Sequence, residues 1–224
     1  MPPSTSSSPR ETLYRLREVQ ALLPGEGSIG PITWAVRRGQ RIGVRCASDA
    51  QWETLRALLT GERSPVSGWL DEVTPVTVQT DAHLRKVLRP GDSLQDFLDG
   101  PDAPEFVRLE GRRHSLMVLV DLLDITPAMR RCVFKFGSPS LLERVWALRF
   151  LISRADVLIG REVFRIADPP VRVALRRRWG DWPGTLIAGE GDQPLPGALD
   201  GWARLDAEGH FSAGNLAAPP EDGP

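Results

Sequence analysis

What the chain has little of narrows it first. Among its 224 residues are 2 cysteines, Cys46 and Cys132, with no C-x-x-C spacing. That excludes a disulfide scaffold and fits a reducing compartment. The 3 histidines, His83, His114 and His210, are scattered without metal-ligand spacing and read as surface or packing residues, so no metal site is expected. Neither sign of charge is in excess: 28 Lys+Arg against 29 Asp+Glu gives a net charge of −1. Nothing therefore draws the chain as a whole toward nucleic acid or anionic lipid. The N-terminus lacks an apolar signal core, and no apolar run approaches the ~20 residues that span a bilayer. What remains is the composition of a globular protein, 41% hydrophobic and 25% charged, long enough for a sizeable α/β core.

Residues 1–11, opening MPPSTSSSP, and residues 215–224 read as a disordered leader and tail around one domain over 12–214. Residues 13–19 and 32–36 read as two strands around a Gly/Pro-rich turn, and 41–45 as a buried strand. A helix is expected over 53–59, ended by Gly61, and a short strand over 76–79. From Leu84 to about Met129 the apolar positions recur at helical spacing, notably Leu116, Val120, Leu123 and Ile125. With the amphipathic helix expected at 141–153, this predicts a helical subdomain over about 84–150. Residues 155–159 and 185–188 read as buried strands, 171–179 as a basic helix, and 202–205 with 210–212 as a closing hairpin. Helices alternating with buried strands imply an α/β fold with a mainly parallel sheet.

The stretch after the buried strand has the frame of a phosphate loop without its chemistry. A working loop reads G-x-x-x-x-G-K-[ST] between a strand and a helix, so that bare N–H groups wrap phosphates, lysine reaches them and the hydroxyl holds magnesium. Those four positions carry Cys46, Gln51, Trp52 and Glu53, with Ser48 and Asp49 between them and Thr54 behind. A Glu53 carboxylate about 4 Å from a phosphate would be repelled by ~4 kcal/mol per charge pair at a surface-like dielectric. Asp49 adds to that, and Trp52 removes the cation while filling space. Taken by itself, the stretch reads as an ordinary strand–turn–helix.

The order of landmarks over roughly residues 13–214 resembles the ATP-binding subunits of ABC transporters. The lead-in strand at Gly39-Gln40-Arg41-Ile42-Gly43-Val44 and the run TLRALLTG over 54–61 are similar to that family's phosphate-loop surroundings. Ser67-Gly68 matches its small pair before the next strand, and Gln79 sits where the family places the glutamine that contacts magnesium and senses the transmembrane partner. Arg144-Val145 with Ala147, Leu148, Arg149 and Leu151 resembles the helix behind the signature loop. Asp156-Val157-Leu158-Ile159 resembles the second motif strand, and LDAEGHFSAG over 205–214 the terminal hairpin. Residues 162–168, from Glu162 to Asp168, look most like the stretch found in exporters of polysaccharides and related envelope glycans.

The resemblance implies a P-loop NTPase fold with a mainly parallel core, an antiparallel edge and a helical subdomain. It implies a transmembrane subunit and a second ATPase subunit, identical or related, as partners, and a peripheral place at the cytoplasmic face of the membrane. It also makes the departures informative. At the signature loop, Gly137-Ser138-Pro139-Ser140-Leu141, only Ser138 survives, and Pro139 lacks an N–H. The metal-holding aspartate is Arg161, the general-base glutamate is kept as Glu162, and the switch histidine is Gly189. No aromatic clearly marks the adenine place near Leu22-Leu23. ATP and Mg²⁺ are therefore expected as cofactors only if the site still works; the leading expectation is a pseudo-ATPase with none. Glu162 and Gln79, like Arg172, Arg176, Arg177 and Arg178, also read as solvated surface residues. Two alternatives stand beside it: an ATPase of unusual geometry with Glu162 as base, and a soluble interaction module built on the same fold.

Overall fold

The computed structural model describes residues 11–25, 27–73, 76–80, 90–99, 112–152, 155–161, 184–190 and 199–215. The N-terminal part is a sheet of three antiparallel strands in the order β2-β1-β4: β1 (Thr12–Leu22), β2 (Ser28–Arg37) and β4 (Ser67–Glu72). β1 alternates well enough to bury Leu13, Leu16, Val19 and Ala21, with register shifts where the alternation breaks.

The second sheet has six strands in the order β5-β6-β7-β3-β8-β9. These are β3 (Arg41–Cys46), β5 (Val78–Thr80), β6 (Val157–Gly160), β7 (Thr185–Gly189), β8 (Gly201–Leu205) and β9 (Phe211–Asn215). All pairings are parallel except β8 with β9. The mainly parallel α/β core with an antiparallel edge that the sequence predicts is thus present.

β6 and β7 are buried on both faces, and their side chains divide the interior into two cores. Val157, Ile159 and Ile187 join the antiparallel sheet and the helix α1 (Asp49–Leu59), which contributes Trp52, Leu55, Leu58 and Leu59. Leu158, Leu186 and Ala188 point the other way, into a core with Leu141, Val145 and Leu148 of the helix at Pro139–Ile152. That helix is α5; before it come α2 (Leu94–Asp99), α3 (Arg112–Leu122), α4 (Pro127–Arg131) and a 3-10 turn at Phe134–Phe136. The described residues between 90 and 150 are therefore largely helical.

Two differences from the sequence reading have local causes. α1 begins at Asp49 rather than 53, because Ser48 is an N-cap: its backbone is extended and its side chain accepts from the Gln51 N–H. β4 was not foreseen as a strand, since SGWLDE is polar and mostly exposed and pairs only through β1. The expected helix at 171–179, the leader over 1–11 except Glu11, and the tail over 215–224 except Asn215, which ends β9, lie outside the described residues.

Candidate functional site

The ends of β3, β6 and β7 meet the start of α1. Only Ala47 and Ser48 separate β3 from α1. The N–H groups here are turned to protein acceptors. Ala47 N–H donates to the Leu205 carbonyl at 3.2 Å and to Gln51 Oε1 at 2.8 Å. Gln51 N–H donates to Ser48 Oγ at 3.3 Å, and Trp52 N–H to the Ser48 carbonyl at 3.2 Å. Gln51 Nε2 donates in turn to the Asp206 carbonyl at 2.7 Å, so this buried side chain braces the junction against the β8–β9 turn. Glycine's place in the phosphate-loop frame is taken by Gln51, whose side chain occupies the Ala47 N–H.

The residues behind Gln51 are equally engaged. Trp52 is 4% exposed and belongs to the core. Glu53 is exposed and accepts from Arg56 Nε at 2.9 Å, while Arg56 also holds Glu62. Thr54 is buried, and its hydroxyl accepts from Arg63 at 3.2 Å. Arg161, which follows β6 directly, donates to Asp49 Oδ1 in the first turn of α1. Its stem lies beside Trp52: a Cβ built on Gly189, the last residue of β7, would stand 3.0 Å from Arg161 Cβ, Arg161 Cγ and Trp52 Cζ3. Burial pushes the Cys46 thiol up to about 12, with the nearby Arg161 charge pulling weakly the other way.

The remaining predicted positions are separate from this cluster or beyond description. Gln79 lies on β5 opposite Leu158 of β6, and its buried Oε1 has no hydrogen-bond partner among the described residues. Ser138 stands at the start of α5, where its Oγ accepts from the Leu141 N–H at 3.2 Å and Pro139 opens the helix. Leu22, near the expected adenine place, is 59% exposed. Glu162 and Asp168 lie outside the described residues. The contacts that sequence reasoning missed, Asp49 with Arg161 and Gln51 with Asp206, join residues far apart in the chain and carry no local signal. Asp206, Glu208 and His210 bring ligand atoms within 4.8 Å of one another, but at an exposed turn whose His210 N–H and Asp206 Oδ1 close the hairpin at 2.8 Å.

Magnesium and triphosphate fit the described side chains poorly. Arg161, which the resemblance sets at the position of a magnesium-holding carboxylate, is a cation paired with Asp49. Among the described residues, Trp52 brings no cation to the loop position, and Glu53 and Asp49 are already paired with Arg56 and Arg161.

No family model and no curated protein sequence matches the chain. Solved structures do match. A nucleotide-free ATP-binding cassette from an ABC transporter superposes with a TM-score of 0.63 at 11% identity, covering 91% of this chain and 91% of its own. The fold is that of an ABC ATP-binding cassette. A transporter assigned to the metal-chelate ABC type, in an inward-facing conformation, gives 0.65 at 13% identity over 92% of this chain and 84% of its own. A bacterial Atm1-family ABC exporter with ATP bound gives 0.68 at 15% identity, and the chain, covered over 92%, spans 39% of that longer protein. Among the described residues, no helix of this cassette-fold chain is long and apolar enough to cross a membrane.

Proposed function

We propose that the chain is a pseudo-ATPase: a cassette-fold subunit with a structural or regulatory part in an ABC-type transport assembly and little or no hydrolysis of its own. The observation that carries this is the Arg161–Asp49 pair at the end of β6. It puts a neutralised cation where metal chemistry needs a carboxylate, beside a buried tryptophan where phosphate chemistry needs a lysine. Phosphoryl transfer relies on electrostatic stabilisation of developing charge, and at this junction Trp52 offers no charge while Arg161 is paired with Asp49. Glu162, the general base implied by the family resemblance, is vestigial in this reading.

The partners follow from the fold's use in transporters. The chain works through a transmembrane subunit, at the cytoplasmic face of the membrane, and pairs with a second cassette, a copy of itself or a relative. Composite sites between two cassettes need one subunit's phosphate loop and the other's signature loop. Here Gln51 occupies the first, and Pro139 removes an N–H from the second. Both composite sites are therefore impaired. The resemblance of 162–168 to glycan exporters makes polysaccharide export the assembly's proposed task.

Isothermal titration calorimetry of the chain with ATP and Mg²⁺ tests the central reading. No saturable heat and no phosphate release are expected; tight binding with turnover that is lost in Glu162→Gln would overturn it in favour of an active ATPase. Affinity purification from native membranes tests the assembly. A multi-span membrane protein should co-purify, and soluble partners alone would favour an interaction module.

A further inference from the structure

We propose that Asp49, Trp52, Arg161 and Gly189 form one internal lock that stands in for nucleotide and metal, holding the junction of α1, β6 and β7 closed with no ligand. The proposal rests on the non-hydrolysing reading of the same site and goes past it: the site is not merely emptied of chemistry but rebuilt as a self-satisfied joint. The four residues come from three separate parts of the chain. Asp49 and Trp52 start α1, Arg161 follows β6, and Gly189 ends β7.

Gly189 is the keystone of this packing. Three atoms of two different side chains lie 3.0 Å from where its Cβ would be, closer than side chains normally approach. Alanine would force Trp52 or Arg161 aside, and a histidine would overlap both. Trp52 has little room to yield, because its ring is 4% exposed and packs in the core formed by α1 and the sheets. The Arg161 side chain is 16% exposed along its length, yet its guanidinium reaches Asp49, which is 86% exposed in the first turn of α1. A carboxylate is well placed there by the helix dipole. The ion pair thus runs from a strand end to a helix start.

The charges make the lock exclusive. Arg161 would repel a magnesium ion, and Asp49 would repel a phosphate, while each satisfies the other. No single reversal opens the site. Trp52→Lys places a second cation beside Arg161, Arg161→Asp faces Asp49 with a like charge, and Gly189→His has no space.

Thermal melts of a double-mutant cycle test the lock. Gly189→Ala is expected to lower the melting temperature by roughly 5 °C in the natural sequence. In a Trp52→Leu/Arg161→Ala background the same change should cost about 1 °C or less. Equal losses in both backgrounds would overturn the proposal. Hydrogen exchange supplies a second readout, begun on the natural chain. Amides of 157–161 and 185–189 should be protected without ligand and unchanged by ATP with Mg²⁺, and Asp49→Asn should speed exchange at both. Nucleotide-dependent protection in Trp52→Lys alone would sink the lock while leaving the pseudo-ATPase reading of the natural chain intact. Tight ATP binding with turnover by the natural chain would instead overturn the reading on which the lock rests.

Discussion

Gln51 is 2% exposed and polar, a combination tolerated only when its amide is bonded at both ends. Its Oε1 takes the Ala47 N–H and its Nε2 meets the Asp206 carbonyl. Each of those groups keeps one other partner, Leu205 for Ala47 and the Gly209 N–H for Asp206. Gln51→Leu should therefore cost about 1–3 kcal/mol in urea-induced unfolding rather than prevent folding. A change below measurement error would show that the bracing is incidental. Cys46 allows a chemical check of the same junction. With its thiol pushed up to about 12 by burial, almost none is thiolate at pH 8. Iodoacetamide should leave Cys46 unmodified in the folded chain and label it in urea, read by peptide mass spectrometry; equal labelling would contradict the burial.

At the level of elements, one buried charge fastens two helices together. Arg144 of α5 donates to the Leu123 carbonyl at 2.7 Å and the Asp124 carbonyl at 2.9 Å, at the C-terminal end of α3. The terminal carbonyls of a helix lack intrahelical donors, and a cation there also suits the dipole. Arg144→Met should destabilise by about 2–4 kcal/mol and speed amide exchange in α3 first; slower exchange there would rule the capping role out. The resemblance placed Arg144 on a helix, and the helix is there, but nothing local in the sequence shows which carbonyls it serves. The same boundary of legibility runs through the site. β6 and β7 are readable because buried parallel strands are continuous apolar runs, and β3 is readable from its buried Ile42-Gly43-Val44 centre. The start of α1 was not, because the phosphate-loop frame assigned Ser48 to a loop when its side chain caps a helix. Gly189 was visible as a missing histidine; that its bareness makes room for Trp52 and Arg161 depends on a contact between strand ends that no spacing encodes.

Across the whole molecule, the two sheets are tied at one corner by Arg38, between β2 and β3. Its guanidinium pairs with Glu11, before β1, at 2.9 Å and with Asp156, before β6, at 2.7 Å. Asp156 also accepts from the Thr77 N–H and hydroxyl, both at 3.0 Å. Those Thr77 bonds, and then Arg38, hold the Asp156 carboxyl below the usual carboxylate range. A carboxyl whose folded value is depressed contributes stability above its unfolded value of about 3.9, and loses that contribution as pH falls through the lower folded value. Asp156→Asn should thus be less stable than the natural chain at pH 7, with the gap closing below about pH 4 in denaturation curves. A gap independent of pH would show that charge plays no part. The place of β3 has a different consequence, one that concerns how the protein is made. β3 is sandwiched between β7 and β8, so Ile42 finds its neighbours at Ile187 and Gly201, near the other end of the chain. As the polypeptide leaves the ribosome, β3 waits with both edges open until β7 and β8 follow. Such late, long-range closure is slow and exposes sticky edges to aggregation. Pairing of both β3 edges is therefore complete only once β8 has emerged.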